Sequence, residues 1–249
     1  MISIIVPVYN NLPMTMDCLN AIKSNTQEGS YEVIVVDNGS NPPFQCPAWK
    51  NFTYIRNESN LGFPVAVNMG IRAASGDTIV LLNNDVIVTP GWERLWKHHL
   101  HNYSIVSPMT NYCAGLQRVT IPVYNNESEL NQQALNFQIE QELSSQEVNW
   151  IIGFCMAFKK SLWEEIGPFD ESLWPCSGEE IQFCLESRKR GYKVGVCKDV
   201  YLHHVGSVTL TDLEQSGQLV YMDICNRNDK HIAELYGKDW INQLVERSE

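Results

Sequence analysis

An α/β fold with a mainly parallel central sheet flanked by helices is the class this sequence predicts, and three observations carry the prediction. Roughly the first hundred residues alternate short apolar runs with segments of helical periodicity, the pattern of β-α-β units. Those runs are nearly uninterrupted instead of alternating polar with apolar, as strands buried on both faces must be. With 249 residues, 44% of them hydrophobic, the chain has material for a substantial core, which excludes disordered and collagen-like architectures.

Taken in order, residues 2–8 read as the first strand. Asn11 can cap a helix with Pro13 in its first turn and Met16, Leu19 and Ile22 on one face. Residues 31–36 form the second strand, 52–55 the third, 63–74 a helix closed by Ser75-Gly76, and 78–82 the fourth strand. A helix is expected over 92–101, and the pattern changes at Ser104-Ile105-Val106-Ser107. Residues 112–149 are rich in Gln, Asn, Glu and Ser and weakly periodic, so they read as an inserted loop-plus-helix excursion. An extended strand is expected over 150–158, then a helix from Ser161 and another over 179–190 that stops at Gly191, with Ile181, Cys184, Leu185 and Arg188 sharing a face. Two short strands at 192–196 and 200–203 precede a helical tail over 212–249.

Charge and cysteine usage narrow the function. Eighteen Lys and Arg against 29 Asp and Glu give a net charge of −11, which excludes a broad basic surface for nucleic acid. Any role with phosphate must then be local, built from a metal ion or backbone amides. No run approaches the roughly 18 apolar residues of a membrane-spanning helix. The opening Met1-Ile2-Ser3-Ile4-Ile5 has no signal-peptide character, so a cytoplasmic location is expected. The eight cysteines contain no C-x-x-C pair and read as reduced packing thiols.

In an open α/β sheet, ligands bind outside the carboxyl ends of the strands. Polar clusters come after each of the first four: Tyr9-Asn10, Asp37-Asn38-Gly39-Ser40, Arg56-Asn57 and Asn83-Asn84-Asp85. Any one of them alone is an ordinary turn former, but four at one edge point to a binding site. Neither G-x-G-x-x-G nor G-x-x-x-x-G-K-S/T is present, so a diphosphate here needs a divalent cation, and Asp85 is the best-placed oxygen ligand.

The ordered set Pro7-Val8-Tyr9-Asn10, Val36-Asp37-Asn38-Gly39-Ser40, Asn60-Leu61-Gly62-Phe63, Asn68, Ser75-Gly76-Asp77 and Leu81-Leu82-Asn83-Asn84-Asp85 resembles the nucleotide-sugar-binding half of family 2 glycosyltransferases, which have the GT-A (nucleotide-diphospho-sugar transferase) fold. Rhamnosyltransferase-like enzymes of cell-surface polysaccharides are among them. The likeness continues through Gly153, Gly167-Pro168-Phe169-Asp170-Glu171, Gly178-Glu179-Glu180, Arg190-Gly191-Tyr192 and His203-His204-Val205-Gly206-Ser207. It implies a GT-A domain over 1–210, with 1–107 as the nucleotide-sugar half, 112–149 as an insert and 150–210 as the acceptor and catalytic half, followed by a helical tail over 211–249. By resemblance, Pro7, Val8, Tyr9, Asn10 and Asp37 surround the nucleoside, with Asp37 accepting hydrogen bonds from the base and Gly39 turning the backbone beside it. Asn60, Gly62 and Asn68 face the nucleotide from the next strand. Asn83-Asn84-Asp85 occupies the D-x-D position, which leaves Asp85 as ligand for Mn²⁺ or Mg²⁺ and Asn83 as a neutral partner for ribose or sugar. His204, or else His203, is a further ligand.

Inverting transfer needs one general base and no enzyme nucleophile. The family pattern puts that base on Glu180, with Glu179 the alternative, in a first helical turn that favours the ionised form. Glu stands here for the usual Asp, and Gln182 for the next family acid. Gly153 and Trp174 fall on the acceptor and sugar side, and the 112–149 insert is a candidate cover. The function implied is an inverting, metal-dependent glycosyltransferase using a UDP-, GDP- or dTDP-sugar and a hydroxyl acceptor on a glycan, lipid or macromolecule. Room is left for peripheral membrane contact and for an oligomer. The rivals are a catalytically degenerate domain that binds sugar nucleotide or a protein partner, and a nucleotidyltransferase, whose phosphate loop is missing.

Overall fold

The computed structural model describes residues 1–206 and 208–244. In chain order the elements are β1 (Ile2–Val8), α1 (Leu12–Asn25), β2 (Tyr31–Asp37), β3 (Phe52–Arg56), α2 (Phe63–Ala73), β4 (Thr78–Leu82), β5 (Val86–Ile87), α3 (Arg94–Lys97), β6 (Ile105–Thr110), α4 (Glu127–Gln141), β7 (Ser145–Val148), β8 (Cys155–Lys159), α5 (Lys160–Ile166), α6 (Glu179–Lys189), β9 (Val194–His204), α7 (Val208–Gln215) and α8 (Tyr221–Tyr236). Among the described residues the strands form one mixed sheet in the order β3-β2-β1-β4-β8-β6-β9-β5, with β7 pairing β9. Pairing is parallel from β3 to β4 and between β6 and β9, and antiparallel where β8 enters.

Alternation along the inner strands builds two cores. Ile4, Val6, Val33, Val35, Val80 and Leu82 face α1 through Cys18, Leu19 and Ile22. Their neighbours Ile5, Ile34, Val36, Ile79 and Leu81 face α2 through Ala66, Val67 and Ile71. Each inner strand is therefore apolar on both faces, as its composition requires. The register sets Val8 beside Asp37 and Asp37 beside Arg56, so the predicted polar clusters do share one edge.

Several expected boundaries shift for identifiable reasons. Asn11 has φ 51° and makes no side-chain cap; its amide donates to Asp212 Oδ2 at 3.2 Å instead. The helix expected over 92–101 breaks into α3 and a 3-10 turn, His99–His101, where His99 turns inward to Asp199 at 2.6 Å. Residues 150–154 are not strand: the Ile152 amide donates to Gln117 Oε1 at 2.6 Å, and pairing starts only at Cys155 opposite Leu82. The two short strands expected over 192–203 are one, β9, because the irregularity opposite Pro108/Met109 absorbs the polar interruption at Lys198-Asp199. On α6 Arg188 is exposed, and Phe183 takes the buried position.

The 112–149 segment contains a strand as well as its helix: β7 extends β9, and Phe137 of α4 packs against Tyr201. The tail begins earlier than residue 212, in α7, and residues 245–249 of the expected tail lie outside the described residues. α8 docks through Ile232 on Leu173 and Leu185. All eight cysteines are free thiols, and no helix among the described residues is long and apolar enough to cross a membrane.

Candidate functional site

The strand edge opens into a cleft of about 290 Å³. One wall carries Pro7, Val8, Tyr9, Asn60, Asn83, Asn84, Asp85 and His204; facing it are Gly153, Glu179 and Glu180. Chain segments more than 170 residues apart in sequence thus meet around one space.

Asp85 lies just past β4, and the two-residue strand β5 immediately after it pairs with the end of β9, setting Val86 opposite His204. Asn111 clasps the His204 backbone in both directions, accepting from its amide at 2.8 Å and donating to its carbonyl at 2.9 Å. The ring stacks on Phe154 at 5.3 Å, and Nδ1 lies 2.8 Å from the Tyr112 carbonyl, which accepts a hydrogen bond from it. In the neutral ring that contact leaves the lone pair on Nε2. Nε2 lies 3.2 Å from Asp85 Oδ1 but out of line for a hydrogen bond, and it is buried without a partner. A carboxylate and an imidazole nitrogen this close form a donor pair of the kind that can hold a divalent cation. No group of three such side chains occurs among the described residues, so any further ligands must come from phosphate and water. The other histidine, His203, points elsewhere and meets the Tyr124 hydroxyl.

Across the cleft, α6 starts at Gly178, whose φ of 100° suits glycine, directly after Ser177 at φ 85°. Glu179 is 6% exposed and its Oε2 has no partner. Burial, reinforced by the charge of Glu180, pushes its carboxyl well above the usual range. Glu180 accepts from the Gly178 amide at 3.2 Å; burial raises its pKa too, against the pull of that and neighbouring amides. The sequence argument from the helix terminus predicts ionisation made easier. Desolvation reverses that sign.

Four predicted residues serve the frame of the site instead of its cleft. Asp37 has a fully buried carboxylate. Its oxygens accept from the Ser40 amide at 2.8 Å, the Phe44 amide at 3.1 Å, the Tyr54 hydroxyl at 2.7 Å and the Arg56 guanidinium. The expected hydrogen bond to a base is thus replaced by a knot that shapes the loop. Gly39, at φ 85°, belongs to the same loop, where a Cβ would come within 2.7 Å of the Ser59 backbone. Asn10 ties into this loop through Ser40 Oγ at 2.8 Å. Asn68 is also not at the nucleotide: its amide bridges Phe169 and Glu171, while its oxygen accepts from the Phe169 amide. Gly62 lies under Trp174, which is 44% exposed beside the cleft, and Pro175 forms the cleft wall itself.

Residues of the cleft that sequence reasoning gave no role are Asn38, Phe63, Ile152, Phe154, Pro175, Cys176, Ser177, Thr209, Leu213 and Tyr221. Asn38 and Phe63 adjoin residues already singled out. Nothing in the tail marks Thr209, Leu213 or Tyr221; no residue of the 112–149 insert lines the cleft, though Tyr112 meets His204.

Residues 3–167 match the family described as Glycosyl transferase family 2. The low-salt glycan biosynthesis hexosyltransferase Agl10 of Haloferax volcanii is 32% identical over 213 residues, covering 80% of this chain and 66% of that protein. Glycosyltransferase AglE of the same organism is 26% identical over 206 residues, covering 80% and 65%. The chain therefore spans just under two thirds of the length of these curated relatives. Two solved structures share the GT-A fold: GalNAc-T7 with UDP, GalNAc and Mn²⁺, at TM-score 0.63, 15% identity and coverage of 82% of this chain and 43% of that one, and the Pyrobaculum calidifontis mannosyltransferase PcManGT with GDP-Man and Mn²⁺, at TM-score 0.57, 19% identity and coverage of 82% and 56%.

Proposed function

The chain belongs to glycosyl transferase family 2, and from that premise we propose that it is an inverting, divalent-metal-dependent glycosyltransferase that moves a sugar from a nucleoside diphosphate sugar to a hydroxyl acceptor. The observation that carries the reading is the pairing across one cleft of Asp85 and the unpartnered His204 Nε2 with the two buried glutamates. The presence of Mn²⁺ with UDP or GDP-mannose in the structural neighbours supports the donor class. The domain reading is 1–210 for the transferase and 211–249 for the tail, with Leu213 and Tyr221 of the tail beside the cleft.

In this reading Asp85 and His204 hold Mn²⁺ or Mg²⁺, whose chemistry is to neutralise charge on the leaving diphosphate. Pro7, Val8, Tyr9 and Asn60 line the nucleotide end, and Asn83 offers a neutral amide to ribose or sugar. Glu179 keeps its proton because it is desolvated and adjacent to another carboxyl; Glu180, which has amide donors, is the ionised base. Its carboxylate takes the acceptor O–H proton while that oxygen bonds the anomeric carbon. The anomeric C–O bond to phosphate breaks with its electron pair leaving on the diphosphate, and a single displacement inverts the centre.

A thermal-shift panel of UDP, GDP, dTDP and their sugars with Mn²⁺ tests this. At least one nucleotide should stabilise the protein, by about 2.7 kcal/mol at a hundredfold excess over Kd, and EDTA or Asp85→Ala should abolish the shift. No shift with any of them, and no donor hydrolysis, would overturn the catalytic reading and favour a degenerate domain that binds a protein partner; a shift without turnover would favour one that binds sugar nucleotide.

A further inference from the structure

Asn228 lies on α8, more than 45 residues from the start of α6 in sequence, and is 2% exposed. Its amide nitrogen donates to three carbonyls of the loop that leads into α6: Ser177 at 2.7 Å, Cys176 at 3.0 Å and Leu173 at 3.3 Å. The amide cannot be flipped, because Arg227 Nε and Nη2 hold its oxygen at 3.1 and 2.9 Å. Each peptide unit is planar, so fixing its carbonyl fixes its N–H as well. The unit whose carbonyl is Ser177 O ends in the Gly178 N–H, which donates to Glu180 Oε2 at 3.2 Å. The Cys176 carbonyl, held at 3.0 Å, belongs to the preceding peptide unit, so the approach of the chain to Gly178 is fixed as well. Ser177 at φ 85° and Gly178 at φ 100° are a sparsely populated pair of conformations, which persists only where surrounding structure over-determines it.

We infer that Asn228 is a positioning residue: a side chain of the tail that orients the peptide unit whose N–H holds Glu180, and so aims the base. The inference rests on the transfer reading and extends it by making the tail part of the catalytic apparatus. Ile232, one turn further along α8, seats against Gly178, where a Cβ would lie 2.9 Å from its Cδ1. His231 adds a contact to Asp170 Oδ2 at 2.7 Å. The ionisable groups that face the glutamate pair are Cys176 in the same loop and Cys184 on α6; Cys176 in turn adjoins Tyr221, Cys225 and Arg227 of the tail.

Asn228→Asp keeps the shape and removes the donors; Arg227→Gln, at an exposed position, frees the amide without opening the core. With whichever UDP-, GDP- or dTDP-sugar the wild-type protein turns over in Mn²⁺, kcat of Asn228→Asp should fall about 100-fold, as for a catalytic group displaced by roughly 1 Å. The donor KM should stay within about threefold, because the metal-side wall is untouched. The acidic limb of kcat/KM should move to higher pH in both variants as Glu180 loses its amide donor. Arg227→Gln should show the same split to a smaller degree, and it decides the matter if Asn228→Asp does not fold. Unchanged kcat and acidic limb in a folded variant, with nucleoside diphosphate still bound in Mn²⁺, overturn the role of Asn228 and leave the transfer reading standing. Wild-type protein that binds no nucleoside diphosphate in Mn²⁺ and turns over no donor overturns both.

Discussion

The loop after β2 and the first turn of α6 each bury a carboxylate, and they treat it in opposite ways. Burial raises the pKa at Asp37, but donors from Ser40, Tyr54 and the Phe44 amide outweigh it and hold the carboxyl below its usual range. At Glu179 burial, reinforced by the charge of Glu180, outweighs the amide donors within reach and drives the carboxyl far up. Neither carboxylate is open to solvent, but desolvation is the greater at Glu179. Donor supply and desolvation together separate a carboxylate that holds the fold from one suited to exchanging protons.

The comparison can be broken most directly at Glu180. If α6 is the proton-handling side, Glu180→Gln should lower kcat about 1,000-fold while leaving nucleotide binding and the unfolding midpoint nearly unchanged. At the other carboxylate the effect should be on stability: Asp37→Ala strands a guanidinium and three further donors, and should cost about 3 kcal/mol in urea unfolding. An Asp37→Ala protein of wild-type stability would remove the structural role assigned to that loop.

The pH dependence of stability sharpens the contrast, with the smallest expected effect. Asp37 has a folded pKa below its ordinary 3.8, so its contribution is present above that pH and is lost as pH falls through the folded value. Glu179 has a folded pKa above its ordinary 4.5, so its protonated form contributes fully below that pH and the contribution is lost as pH rises through the folded value. Glu179→Gln should therefore flatten the decline of stability above about pH 5 and leave the acid limb alone, as followed by urea midpoints across pH. A decline of unchanged slope would show that Glu179 is not the group responsible.

Much of the donor wall is legible in the sequence. The bounds of β1 and β4 coincide with the apolar runs, and Tyr9, Asn83 and Asp85 stand out as the polar residues directly after those runs. Asn68 shows where such reasoning stops. It matches the motif, yet its amide is used 101 residues away by Phe169, a contact no local pattern announces. Trp150 to Phe154 departs from expectation differently: an apolar run signals burial, but only the partner decides strand pairing, and here Gln117 takes the amide that a strand would have offered.

The succession of strands and helices in the first hundred residues, the edge where ligands gather and the start of α6 are determined by the sequence alone, because they rest on short-range periodicity and on the burial that every apolar run imposes. The hydrogen-bond partners of Asp37 and Asn68, the meeting of His204 with Asp85, the upward shift at Glu179 and the reach of Asn228 to the loop before α6 come only from the tertiary structure. Each depends on which donors, acceptors and charges arrive from distant segments, and hydrogen bonding and desolvation act over a few ångströms in space regardless of separation along the chain.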